Sequence, residues 1–454
     1  MRNDLARLVG QQYVLRDATA EWTQDASVAM GLRGHADAVV LPGSAEEVAA
    51  VVGWCYERGV AIVPRGGGTG YAGGAVPAPS PQAAGPEGTV VVALDRLDRI
   101  RSFDPGLWRM EVEAGVSTQT VARRARENGL FFPVDPGAAE QSQIGGNIAT
   151  NAGGPHCFKY GVMRAWLTGL EAVLAPGELV RVGGPTRKDV AGYDLVGLLC
   201  GSEGTLGIVT SAWLRLIPAP LFDPVPVAAA YPSVQAGCDA IEAVLASGVV
   251  PATIEYLDAG ALAAAGAAFP GGLPGDAQFL VICEADGGEA EVAELVDAMG
   301  TAGGEVRAHE PRELWRWRDG VGIAVTAVQG GKLSEDIGVP LDRLAEGILG
   351  TVQIGVRHGL EACSWGHAGD GNLHSTFLLT PGDTAQLERA EAATEELFDL
   401  AVALGGTVSG EHGLGWLKRG QLAKQWAPGA VAAHRAIKAA LDPAGLFNPG
   451  KKTA

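Results

Sequence analysis

Two histidines flank a tight-turn signal in GHAGDGNLH, residues 366–374. Asp370-Gly371 is a strong two-residue hairpin pair. Folding the chain there sets Gly369 against Asn372, Ala368 against Leu373 and His367 against His374. Directly opposed residues on one face of a hairpin hold their Cβ atoms about 4.5–5.5 Å apart. Two imidazoles at that separation suit one metal ion. A later segment, SGEHGLGWLKRGQ, residues 409–421, sets Glu411 and His412 between glycines, where neither is an obvious core residue. Two histidines and one carboxylate leave coordination positions open, which favours a catalytic over a structural centre. That donor set fits zinc, manganese or iron. A lone histidine is more often a core residue than a ligand; three such groups in two Gly-rich segments weigh the other way.

The second chemical signal is glycine. The chain has 66 glycines, and they cluster. RGGGTGYAGGA, Arg65–Ala75, contains Gly68-x-Gly70-x-x-Gly73. A dinucleotide fingerprint of the Rossmann type needs a strand before it and a helix after it. The strand VAIVP precedes, but AVPAPSPQ follows and cannot be helical, so that reading is rejected. The loop can still bind phosphate, because successive backbone N–H groups in a Gly-rich turn form an anion nest. IGGNIATNAGG (144–154) and GSEGTLGIVT (201–210) are two further clusters. Three clusters point to backbone packed along one extended cofactor.

Composition narrows the classes. A formal charge of -18 argues against nucleic acid and fits a solvated acidic surface. Six cysteines without a CxxC pair argue against thiolate zinc, redox-motif and iron–sulfur readings, and suggest buried, reduced thiols of a cytoplasmic protein. The N-terminus has no apolar signal region. No membrane span is expected; the nearest apolar run, Ala259–Gly275, is broken by Gly and Pro.

Elements must position these groups. AVVLP, a helix opened by Ser44 with Glu47 three residues on and stopped at Gly59, and VAIVP read as strand–helix–strand. The Pro-rich loop VPAPSPQAAGPEG and the strand TVVVAL follow. A helix is expected over 117–128, with Ser117 as N-cap. Residues 135–161 read as an irregular Gly- and Asn-rich stretch. Strands resume near 170–182 and 207–217, and IPAPLFDPVPV, 217–227, reads as a linker. Helical patterns at 234–247, 288–300 and 340–358 then alternate with strands such as AQFLVICEA. A long helix, 384–404, ends at Gly405-Gly406. A last helix stops at Asp442-Pro443.

PRGGGTGYAGGA, IGGNIATNAGGPHCFKYG and GSEGTLGIVT resemble, in order and spacing, the FAD-binding domain of the vanillyl-alcohol oxidase and p-cresol methylhydroxylase superfamily. The resemblance implies an α+β fold. Its FAD-binding domain, of two subdomains, would cover 1–220, with a core at 35–218. An α+β substrate or cap domain would cover 221–405, and a C-terminal segment, 406–454, would return to the FAD domain. It also implies that Arg65, Gly66, Gly67, Gly68, Thr69, Gly70, Gly73 and Gly74 hold the pyrophosphate. Ser142, Gly145, Gly146 and Asn147 would follow the phosphates and ribityl chain, with Asn151 and Gly154 near the flavin. Glu203, Gly207 and Ile208 would meet the adenosine side. Covalent members attach FAD through a histidine in the first loop. Thr69 stands there instead, which implies noncovalent FAD; the second cluster carries His156.

The two histidine segments resemble D-2-hydroxy-acid dehydrogenases of this superfamily, those acting on D-lactate, D-2-hydroxyglutarate or glycolate. The resemblance implies that His367, His374 and Glu411 bind a divalent metal and that His412 is the base. DPAGLFNPGKK matches the family tail, with Asn448 returning to the flavin region. Such a reaction removes a hydroxyl proton and a hydride from Cα, with FAD as hydride acceptor. An imidazole suits the proton, its unperturbed pKa being about 6.5. An arginine suits the carboxylate; of Arg316 and Arg318, the family pattern favours Arg318. Lys332, in GGKLSEDIGVP, is a further candidate substrate contact. The 2-hydroxyglutarate enzymes carry a lysine two residues before the position of Asp336. Ser334 stands there here, which tilts the expectation to a monocarboxylate such as D-lactate or glycolate. The acceptor beyond FAD would be oxygen, a quinone, a cytochrome or a partner subunit, in a homodimer or a hetero-oligomeric complex, peripheral to the inner membrane if a partner holds it there. The rival readings are another FAD oxidase or synthase on the same scaffold, and a non-enzymatic electron-transfer subunit.

Overall fold

The computed structural model describes residues 1–15, 19–77 and 87–453. Most of the expected Pro-rich loop, 76–88, lies outside them. By contacts the chain forms two compact units. The first comprises Met1–Gly154, Gly161–Ala219 and Glu411–Ala454; the second comprises Pro155–Tyr160 and Pro220–Gly410.

In the first unit, strands Val14–Leu15, Ala38–Val40, Thr89–Ala93 and Ala61–Arg65 form a sheet in that spatial order. The last three run parallel. Two parallel strands need a crossover, and helix Ala45–Arg58 supplies it. Ser44 caps this helix by accepting from the Glu47 N–H, and the Glu47 carboxylate reaches back to the Gly43 N–H at 2.7 Å. Gly59 ends it in the left-handed region, φ 66°. The helix buries Val48, Val51, Val52 and Cys55 against Val40, Ile62, Val90 and Val92. Val173, Ile208 and Phe447 join the same core. A second, five-stranded antiparallel sheet orders Ile100–Asp104, Arg109–Glu113, Ile208–Arg215, Leu167–Leu174 and Glu178–Gly183. The expected irregular stretch contains a helix, Ile144–Thr150. Its two glycines hid it by their low helix propensity. Gly145 is there for closeness: a Cβ on it would lie 2.7 Å from the Ala114 Cβ.

The second unit is built on a seven-stranded antiparallel sheet among the described residues. Its order is Arg307–Ala308, Val225–Tyr231, Phe279–Ala285, Thr253–Asp258, Ala362–His367, Asn372–Leu379 and Gly331–Gly338. One face of this sheet is chemically divided. Leu257, Leu280, Cys363 and Leu378 pack on helices Ala259–Ala265, Pro311–Asp319 and Val321–Gln329. Toward the other end the same face carries ionisable groups, because side chains at alternate positions share a face. Helices Val234–Ser247, Glu289–Gly300, Leu344–His358 and Thr384–Ala403 match the periodic segments. No helix among the described residues is long and apolar enough to cross a membrane. Of the six thiols, Cys157 is half-buried and the other five are buried.

Candidate active site

In the first unit, the Gly-rich loops wall one cavity of about 1360 Å³, counting its open mouth. Arg65 and Leu94 stand at the carboxyl ends of the parallel strands, where open α/β sheets bind ligands. Close backbone packing explains Gly67, and backbone conformation explains Gly68. A Cβ on Gly67 would sit 2.0 Å from the Gln141 carbonyl oxygen. Gly68 adopts φ 66°. Among the described residues, the backbone N–H groups of Gly66, Gly67, Gly68, Thr69 and Gly70 donate to no protein acceptor. A run of undirected N–H groups facing a cavity fits the phosphates of a dinucleotide.

The cavity gathers Arg65, Gly66, Gly67, Gly68, Thr69, Gly70, Gly74, Ser142, Gly145, Gly146, Asn147, Glu203, Gly207 and Ile208. Gly73, Asn151, Gly154 and Asn448 stand behind this wall. Gly73 packs on Leu32 and Trp416. Asn151 ends helix Ile144–Thr150 at φ 53°, its Oδ1 accepting from the Arg164 N–H at 2.8 Å. Gly154 packs against the Asp135 carbonyl. Several of the lining side chains are tied to protein. The Arg65 guanidinium donates to the carbonyls of Gln24 at 2.7 Å and Glu21 at 2.5 Å. Asn147 and Ser142 both bond the Thr118 hydroxyl at 2.6 Å.

The C-terminal stretch braces the loops. Asn448 Nδ2 donates to the carbonyls of Gly74 at 2.9 Å and Glu203 at 2.7 Å. Lys451 Nζ donates to the Gly74 carbonyl at 2.9 Å, and burial pushes its pKa down to about 7. The buried Glu203 carboxylate accepts from the N–H groups of Leu414 (3.0 Å) and Gly415 (2.6 Å) and from Lys452 Nζ at 3.0 Å. It therefore grips the segment that carries His412. Glu411 and His412 line the same cavity, and the His412 ring stacks on Tyr71 with centroids 4.7 Å apart. His412 Nε2 lies 3.8 Å from Glu411 Oε1.

In the second unit the hairpin departs from the expected register. A turn at Ala368–Asp370, followed by Gly371 at φ 75°, makes the loop longer than two residues. His367 pairs with Asn372, and His374 with Trp365. The two histidines are diagonal neighbours, not directly opposed. A one-residue slip would have put them on opposite faces; a shift of two keeps both on one face. Their rings lie 5.2 Å apart, edge to face, with ligand atoms within 4.8 Å of one another, so the pair fits a shared metal ion.

Two buried carboxylates, Glu255 and Asp336, stand beside them. Glu255 pairs across the strands with His367, and Asp336 with His374. Glu255 Oε1 meets His367 Nδ1 at 2.5 Å, and Oε2 accepts from Arg318 Nε at 2.8 Å. Burial opposes its charge, but Arg318 and His367 together hold its pKa below the usual carboxylate range. Asp336 accepts from the Ser409 hydroxyl at 3.3 Å. Lys332 Nζ donates to the Gly322 carbonyl at 2.9 Å and lies 5.0 Å from the Trp365 ring centroid; burial lowers its pKa. The Ser334 hydroxyl is bonded to Thr376 at 2.7 Å. His156 Nε2 bonds Glu284 at 3.0 Å.

Residues 36–183 match the family described as FAD binding domain, and residues 225–452 the family described as FAD linked oxidases, C-terminal domain. The chain is 36% identical over 427 residues to the glycolate oxidase subunit GlcD of Bacillus subtilis (strain 168), covering 92% of this chain and 89% of that one. It is 34% identical over 429 residues to a protein of Danio rerio named probable D-lactate dehydrogenase, mitochondrial, covering 91% and 84%. Among solved structures, p-cresol methylhydroxylase with substrate bound superposes with a TM-score of 0.79 over 99% of this chain and 95% of that one, at 18% identity. The glycine cradle and the family matches agree, and the chain belongs to the FAD-linked oxidases, as an FAD-binding oxidoreductase on the p-cresol methylhydroxylase fold.

Proposed function

We propose that this chain oxidises a small D-2-hydroxy acid, D-lactate or glycolate foremost, to the 2-oxo acid. One observation above all supports this: two imidazoles share the polar end of a sheet face, with ligand atoms within 4.8 Å. Metal-free chemistry on this scaffold has no need of them. The printed names of the relatives, for glycolate and D-lactate, point the same way. FAD, noncovalently held, supplies the hydride acceptor when bound. A divalent ion on His367, His374 and, as the sequence suggests, Glu411 would supply Lewis acidity toward the substrate hydroxyl. His412, whose ring stacks on Tyr71, takes the hydroxyl proton.

Arg318 binds the substrate carboxylate through Nη1, which has no protein partner among the described residues, while its other nitrogens hold Glu255. Lys332 adds positive charge to the sheet face of His374. With Ser334 engaged by Thr376, nothing at that position offers a cation to a second carboxylate. The chain is cytoplasmic in this reading. Electrons leave the flavin for oxygen, a quinone, a cytochrome or a partner subunit. The test is anaerobic flavin bleaching by D- and L-lactate, glycolate, D-2-hydroxyglutarate and D-malate. D-Lactate or glycolate should bleach fastest. Fastest bleaching by D-2-hydroxyglutarate would move the substrate to the dicarboxylates, and bleaching by none would end the proposal.

A further inference from the structure

Resting on the metal pair of that reading, we propose that Glu255 is a positioning residue that fixes which nitrogen of His367 is offered to the metal. The argument is geometric. Glu255 lies directly across the ladder from His367, so both side chains rise from one face. Its Oε1 meets His367 Nδ1 at 2.5 Å. A carboxylate only accepts hydrogen bonds, so Nδ1 carries the proton and Nε2 presents its lone pair. Its Oε2 is held by Arg318, so neither oxygen can turn away without breaking a bond.

A merely structural reading of Glu255 is costly. The residue has no solvent exposure. Burying an ion pair commonly stabilises no more than apolar residues of the same volume. Leu257, two residues along on the same face, shows what this sheet uses where packing alone matters. A carboxylate bonded to the second nitrogen of a ligating histidine fixes its tautomer and raises its basicity, typically changing metal affinity about 10–100-fold on removal.

The experiment uses the full chain with FAD bound, stripped of divalent ions and titrated with Zn²⁺ against a competing chelator. Glu255→Gln keeps the shape and one acceptor but loses the charge; Glu255→Leu loses both. Zn²⁺ affinity should fall about 10-fold in the first and toward 100-fold in the second. FAD content should stay at the wild-type ratio. The electron paramagnetic resonance spectrum of bound Co²⁺ should change in Glu255→Gln, a signature that a purely structural ion pair would leave alone. If Glu255→Leu does not fold, Glu255→Gln decides. Unchanged Zn²⁺ affinity and an unchanged Co²⁺ spectrum in Glu255→Gln overturn the proposal. A wild-type chain that binds neither ion also overturns it, together with the metal reading. Flavin bleaching in the substrate panel would still leave the hydroxy-acid reading standing.

Discussion

His412 has an aromatic ring on one face and a carboxylate beside its edge, and its backbone is held two residues on by Glu203. His412→Ala should slow flavin reduction by substrate about 10²–10⁴-fold, the usual worth of a positioned general base, with FAD still bound. Stopped-flow reduction of the variant at the wild-type rate would remove His412 from that role. A second residue-scale prediction concerns Asp258, which caps helix Ala259–Ala265 and accepts from the Ser364 N–H. Burial raises its pKa to about 7. A raised carboxyl pKa gives stability that is complete below the unfolded value near 3.8 and is lost as pH rises toward 7. A tenfold change in proton affinity corresponds to about 1.4 kcal/mol. Urea unfolding of Asp258→Asn between pH 4 and 7 should show a flatter pH dependence than wild type; parallel curves would refute it. His412, His367 and His374 were legible in the sequence because glycines around them leave few structural explanations. Glu255 was not, since a glutamate in an alternating strand looks solvent-facing until the register sets it against His367.

Elements show the same division. Caps and stops were legible where one residue decides them, as at Ser44, Ser117 and Gly59. The hairpin was legible in kind but not in register, because Gly371 works with a turn that begins at Ala368. Helix Ile144–Thr150 was hidden, because close packing on Ala114 selects Gly145, a residue type that propensity counts against a helix. Glu203 was assigned to the adenosine side by resemblance. In the folded chain it adopts φ 53° and links the 201–210 loop to residues 414–415. Hydrogen bonds to a charged group contribute about 1.5–3 kcal/mol each. Glu203→Gln sets an amide N–H₂ against donors it cannot accept from, and should loosen both the His412 segment and the cofactor wall. The flavin-to-protein ratio after gel filtration should fall below that of wild type; full retention with unchanged reduction kinetics would show the link to be dispensable.

At the scale of the whole molecule, the first unit is assembled from three separate stretches of chain. Its third stretch adds Phe447 to the central core, where it bridges in parallel to Ile62. Asp442 locks the turn before it by accepting from the N–H groups of Leu446 and Phe447 at 3.0 and 2.9 Å. A chain ending at Leu441 should therefore lose FAD even though every Gly-rich loop is present. Purification of that truncation as a yellow protein with a wild-type flavin ratio would contradict this. The net charge of -18 would repel an anion at long range, so its capture in this cavity draws on short-range donors such as the Gly66–Gly70 backbone N–H groups.

The hydrogen bond from Asn448 to the Gly74 carbonyl joins residues 374 positions apart. At about 5–20 residues per second, a ribosome takes roughly 20–75 s to cover that interval. Throughout it the nascent glycine cradle lacks its brace, and the complete second unit is synthesised in the meantime. Lasting flavin capture is therefore a late event in biogenesis, tied to emergence of the C-terminal stretch and not to completion of the loops that touch the cofactor.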